Sequence, residues 1–236
     1  MVTLEAANPF LMQKRQEKDL IILRWLQEHI NTYVLFVLLS LIIFIIPILD
    51  PDASGWLRQV ILVAIYLLVV LNIPRYWRFA LGVALIAFAV KWAGEVWERP
   101  ALSALADLLS LLLFAYGVWG LIRNIVLEEQ VKLEVILAAI SGYLLLGLFF
   151  AVIVGVCVQN DPGAFEFQDS TPSKSDIRYF TIVTLSTLGY GDITPQTPVA
   201  RSLAMFIAVC GQMYMAVVIA LLVGKAGQKN SAKKPD

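Results

Sequence analysis

A chain of 236 residues with 59% hydrophobic and 15% charged residues and a mean hydropathy of +0.77 lies outside the range of soluble domains. Its formal charge is zero, and no basic stretch is interleaved with aromatics outside the apolar blocks, so no electrostatic footprint for nucleic acid exists. Two cysteines in separate apolar segments (Cys157, Cys210) and a single histidine (His29) cannot assemble a zinc site, a Cys–His nucleophile or a disulfide within one copy, which speaks against an enzyme and for a membrane protein.

In chain order, residues 1–30 come first. Within them Phe10 to Ile30 mixes apolar residues such as Leu20, Leu23 and Trp25 with charges, and fits an interfacial helix and a solvated helix equally well. The first long apolar run, Thr32 to Leu49, lacks an Ala-x-Ala cleavage site and is expected to be a retained span rather than a signal peptide. A bilayer core about 30 Å thick needs about 20 apolar helical residues. Thr32–Leu49, Trp56–Ile73, Phe79–Val96, Leu133–Val158 and Val199–Val223 reach that length outright, and Leu102–Val126 reaches it while carrying Asp107 and Arg123. The fold class expected is therefore all-α and membrane-embedded, with six transmembrane helices.

Twelve Lys and Arg residues, among them Lys14, Arg75, Arg78, Arg123 and Lys225, fall on one side of these spans, and six, among them Arg58, Lys174 and Arg201, on the other. Because basic residues are retained inside, both termini are expected in the cytoplasm of a multi-pass cell-membrane protein, with Gln159 to Val199 outside. Four units follow: residues 1–30, a four-helix transmembrane domain at 31–127, a helix–loop–helix unit at 128–224, and a short basic tail at 225–236. The fourth span offers Arg123 alone, too little charge for steep voltage sensing, since one charge crossing 100 mV contributes only about 2.3 kcal/mol. Lys91 and Asp107 are equidistant from the turn at Arg99 and are read as an ion pair or as snorkelling groups. The tail leaves no room for a ligand-binding domain.

Between the last two spans, SKSDIRYFTIVTLSTLGYGDITPQTP is too short for a further crossing yet apolar from Ile177 to Leu188, which predicts a re-entrant element. A short pore helix is expected from about Asp176 to Ser186, N-capped by Ser173 or Ser175. Beyond it Gly189 and Gly191 alternate with Leu188 and Tyr190, so an extended segment can turn successive carbonyls to one side. The carbonyls of Thr187, Leu188, Gly189 and Tyr190, with the Thr187 hydroxyl, can then replace the hydration shell of a cation. One segment supplies too few oxygens, so several copies must face a common axis.

The nine residues Thr184–Asp192, TLSTLGYGD, resemble the pore signature T-x-x-T-x-G-Y-G-D of the tetrameric potassium-channel family, matching at Thr184, Thr187, Gly189, Tyr190, Gly191 and Asp192. Leu188 stands where members usually carry valine or isoleucine. The resemblance covers about Leu133 to Gly224 and implies a homotetramer in the lipid bilayer that binds K+ at Thr187, Leu188, Gly189, Tyr190 and Gly191, with K+ as permeant ligand and no other cofactor. It places Tyr179 and Phe180 at the aromatic pair that braces the filter, with Tyr179 bonding Asp192 and Thr184 as further support. Gly211, twenty residues after Gly191, takes the position of an inner-helix hinge or of a close-packing glycine, and Met215, Ile219, Ala220 and Val223 line a cavity and gate or face lipid. Gln212 either bonds the pore helix or faces the cavity. Gating leaves room for a regulatory subunit that the sequence does not identify. The function implied is a passive potassium channel; a potassium transporter subunit and a weakly selective cation channel with a sensory four-helix domain stand beside it.

Overall fold

The computed structural model describes residues 31–49, 55–71, 77–97, 100–128, 130–167 and 173–231. Residues 1–30, and the side chain of Lys91 with its expected partner role toward Asp107, lie outside that description. Among the described residues helices dominate: α1 (Asn31–Ile48), α2 (Gly55–Leu71), α3 (Trp77–Trp97), α4 (Pro100–Leu127), α5 (Leu133–Asn160), the short α6 (Lys174–Leu185) and α7 (Pro198–Ser231). Four of them, α1, α4, α5 and α7, are long and apolar enough to cross a membrane. The charged fourth stretch is thus one of the four found among the described residues. With six core-packed helices of this composition the chain is a multi-pass membrane protein.

Pro47 leaves a mark on α1. A proline has no N–H for the carbonyl four residues back and its ring crowds that carbonyl. The helix widens into a π turn over Leu41–Ile45, in which the Ile46 amide donates to the Leu41 carbonyl, and then resumes as α-helix.

Within a bilayer, helices associate through packing rather than through expulsion of water, so small residues at crossings count. Gly117 of α4 lies against Leu145 of α5 and Val69 of α2 with no room for a Cβ. One continuous core runs from Leu35 and Leu39 of α1 through Ile65, Phe114 and Leu121 to Leu145, Leu148 and Tyr214. The four-helix unit and α5 are therefore joined along their length. Tyr66 donates to Ser110 Oγ at 2.8 Å, and Ser110 to the Ala106 carbonyl at 2.7 Å, so these two buried hydroxyls are paired.

A second core gathers Phe150 and Val154 of α5, Phe180 and Leu185 of α6, and Ala200 and Ile207 of α7 around Phe165. It holds α6 between the two long helices. Phe165 meets the Phe180 ring edge-on at a centroid distance of 5.0 Å. A two-residue antiparallel ladder, β1 (Phe165–Glu166) with β2 (Thr194–Pro195), ties the chain leaving α5 to the chain entering α7.

Helix α7 runs unbroken to Ser231, so Lys225 belongs to its last turns. There the ammonium donates to the carbonyls of Ile125, Val126 (2.9 Å) and Glu128, the unsatisfied end of α4. Arg123, one turn earlier on α4, stacks over Trp119 with its guanidinium 6.0 Å from the ring centroid.

Candidate functional site

The site grows out of α6. Its N-terminus carries a capping box: Ser173 Oγ accepts from the Asp176 amide at 3.1 Å, and Asp176 Oδ2 accepts from the Ser173 amide at 2.8 Å. Ser173, one of the two serines expected, is the cap, and the helix begins two residues before Asp176. Along α6 the aromatic pair divides its tasks. Phe180 is buried in the second core, while Tyr179 donates to Asp192 Oδ2 at 2.7 Å, across the loop that follows the helix. That hydrogen bond, and after it the loss of hydration and the carboxylate charge, push the Tyr179 hydroxyl up to about 12.

The C-terminus of α6 decides how the next residues run. The Thr187 amide donates to the Thr184 carbonyl at 3.0 Å and the Leu188 amide to the Val183 carbonyl at 3.0 Å, the paired bonds of a Schellman cap. The left-handed position of such a cap is usually glycine; here Thr187 occupies it, with φ 61°. A β-branched residue is strained there. What threonine supplies and glycine lacks is a hydroxyl at the start of the segment.

Gly189 and Gly191 follow with φ 56° and 80°, so left-handed values recur at every second residue from 187 to 191. The sequence suggested two such positions in an extended segment; there are three, and the first is not a glycine. The Gly189 amide also turns back to the Val183 carbonyl, at 3.4 Å. In a planar trans peptide the carbonyl points opposite to the following N–H. With the amides of Leu188 and Gly189 held on the helix, the carbonyls of Thr187 and Leu188 are aimed away from it. Leu188, Gly189, Tyr190 and Gly191 are exposed, Leu188 at 57% and Tyr190 at 67%, although two of these are large apolar side chains.

Helix α7 meets this junction at two consecutive residues. Gly211 is buried against the end of α6, where an added Cβ would lie 2.0 Å from the Leu185 carbonyl oxygen. The geometry at Gly211 is thus that of a close approach. Gln212 Nε2 donates to Thr187 Oγ1 at 3.1 Å, a residue of the loop just beyond α6 rather than of the helix expected as its partner. One turn on, Tyr214 donates to the Ala139 carbonyl at 2.7 Å, passing over Gly142. Met215, Ile219, Ala220 and Val223 are exposed in the single chain. Cys157 and Cys210 are both unbridged. Beside this loop, Glu166 Oε2 accepts from Gln196 Nε2 at 2.9 Å, reinforcing the β1–β2 ladder.

Three features here were not drawn from the sequence: the left-handed threonine, the Gln212 bond and the Lys225 cap. The Schellman signature is normally a glycine, which hides the first; the other two join residues 25 and about 100 positions apart.

Residues 142–226 match the ion channel family. The matched residues include most of α5, all of α6, the loop after it and most of α7. Over 37 residues, 16% of its length, this chain is 54% identical to Potassium channel K1 of Plasmodium berghei, 2% of that protein's length. Two pore potassium channel c of rice is 34% identical over 83 residues, covering 35% of this chain and 17% of its own. The inward rectifier potassium channel Kirbac3.1 of Paramagnetospirillum magnetotacticum is 30% identical over 100 residues, 40% of this chain and 31% of its own. The chain thus spans at most 31% of these relatives. No solved structure matches significantly. All three of these relatives are potassium channels.

Proposed function

We propose that this chain is one of four identical subunits of a potassium-selective channel that conducts K+ passively, with six crossings, both termini inside and the Thr187–Gly191 segment as selectivity filter. The observation that carries this reading is the repeat of left-handed backbone at Thr187, Gly189 and Gly191, next to the Thr187, Leu188 and Gly189 amides drawn back onto α6. Such a backbone presents carbonyl oxygens on one side, the ligand set for a dehydrated monovalent cation.

The need for several copies has its own support. The apolar window of α7 is only 22% buried, against 50% for α5, although α7 is the helix that touches the filter. Leu188 and Tyr190, exposed in one chain, are suited to burial against neighbouring copies. Arg123, the one cation in the second half of α4, stacks on Trp119, which favours opening without steep voltage dependence.

Reconstitution in liposomes under a potassium gradient tests the proposal. Potassium flux that excludes sodium is expected; equal permeability for the two ions, or no flux from an intact assembly, refutes it. Gly189→Ala is expected to abolish selective flux, since a Cβ disfavours φ 56°.

A further inference from the structure

We infer that Gln212 is a positioning residue for the innermost ion site: its side-chain amide fixes the Thr187 hydroxyl so that the oxygen presents one lone pair to the permeant ion. This rests on the channel reading and extends it from the loop to a residue of α7 that the pore signature does not contain.

A threonine hydroxyl has one proton and two acceptor positions. Gln212 Nε2, at 3.1 Å, occupies one acceptor position of Thr187 Oγ1, and among the described residues no other side-chain hydrogen bond is formed by this hydroxyl. Left alone, the group could turn its proton toward an entering cation, presenting the wrong end of its dipole. With the Gln212 amide in place, rotation about the Cβ–Oγ bond no longer frees both acceptor positions, and the β-branched Thr187 side chain is held in one rotamer. The hold is firm because Gly211, the preceding residue of α7, is packed directly on the Leu185 carbonyl, so the Gln212 backbone cannot drift from the filter base. A neutral amide at membrane depth also needs a partner, and this contact provides one.

The test uses the full-length protein in liposomes, with K+ as the probe, and reads the potassium concentration that gives half-maximal flux. In parallel, thermal protection of the purified assembly by K+ over Na+ reads binding without transport. Gln212→Leu, which cannot donate, is expected to raise both half-saturating concentrations about 3- to 10-fold, the factor for one hydrogen bond, each read as the shift from Na+ to K+ so that any change of melting in Na+ itself cancels. Gln212→Asn, one methylene too short, should do the same and serves if the leucine variant fails to fold. Thr187→Val should raise them as well, and Gln212→Leu added to Thr187→Val should have no further effect. Unchanged or lowered half-saturation in the Gln212 variants, or equal effects of Gln212→Leu with and without the Thr187 hydroxyl, overturns the inference while leaving the channel reading intact. A wild-type protein with neither potassium flux nor potassium protection overturns both.

Discussion

Replacing Gly211 with alanine puts the packing of the filter base to a quantitative test. The new Cβ would sit 2.0 Å from the Leu185 carbonyl oxygen, 2.9 Å from its carbon and 3.1 Å from Leu185 Cδ1. Ordinary contact begins at 3.4 Å, so α7 would have to retreat by about 1.4 Å, the difference between the two distances. The carbonyl cannot swing aside, because the Ser186 amide of the same peptide is bonded to the Ile182 carbonyl at 2.9 Å. A retreat of that size stretches the 3.1 Å contact between Gln212 and Thr187 to about 4.5 Å, past hydrogen bonding. Overpacking costs about 1–3 kcal/mol and the lost hydrogen bond about 1 kcal/mol, giving about 2–4 kcal/mol per subunit. Thermal unfolding of the purified assembly measures this, with Gly147→Ala as control. There the Cβ meets the tip of the Ile182 side chain at 2.3 Å, a flexible end that can rotate away, and the expected cost is below about 1 kcal/mol. Wild-type stability of Gly211→Ala, or equal damage from both substitutions, would refute the reasoning. Intact stability with altered opening would assign Gly211 to a hinge instead.

Three further outcomes are expected. Ser173→Ala removes the capping box of α6 and should cost about 1 kcal/mol in unfolding experiments, with Ser173→Asp restoring most of it. Tyr179 titrates at about 12, against 10.0 for a free tyrosine, so its bond to Asp192 is fully present below pH 10 and is lost as pH rises through 12; potassium selectivity of the wild type should persist at pH 10, and Tyr179→Phe should show at neutral pH the loss that the wild type shows only near 12. Lys225→Met leaves three carbonyls at the end of α4 without their cation, and amide exchange over residues 121–128 should accelerate, while Lys225→Arg should retain most of the protection.

Much of the site could be read from the sequence because its determinants are local. Ser173 and Asp176 form a capping box within four residues, and the glycines at 189 and 191 mark left-handed backbone by their side chains alone. The apolar runs located the helices for the same reason. The rest depends on tertiary placement. Nothing in a threonine signals φ 61°; that value comes from the Schellman cap. Pro47 lies inside an apolar run whose hydropathy is blind to the π turn that accommodates it. Lys225 reads as part of a solvated tail until the end of α4 is brought beside it. The β1–β2 ladder is too short to carry a strand pattern.

Thr187 is both the left-handed residue that ends α6 and the first residue of the segment proposed to face the ions. Cap and proposed filter thus share one residue, with no linker in which an error of length could be absorbed. Inserting or deleting one residue in α6 would rotate everything beyond it by about 100° about the helix axis. The Tyr179–Asp192 bond and the Gln212–Thr187 bond, fixed to different elements, would then both miss their partners. Length variation is expected to be tolerated in the loop before Ser173 and strongly selected against from Ser173 to Asp192, so the spacing of this stretch is as much a part of the proposed filter as its oxygen atoms.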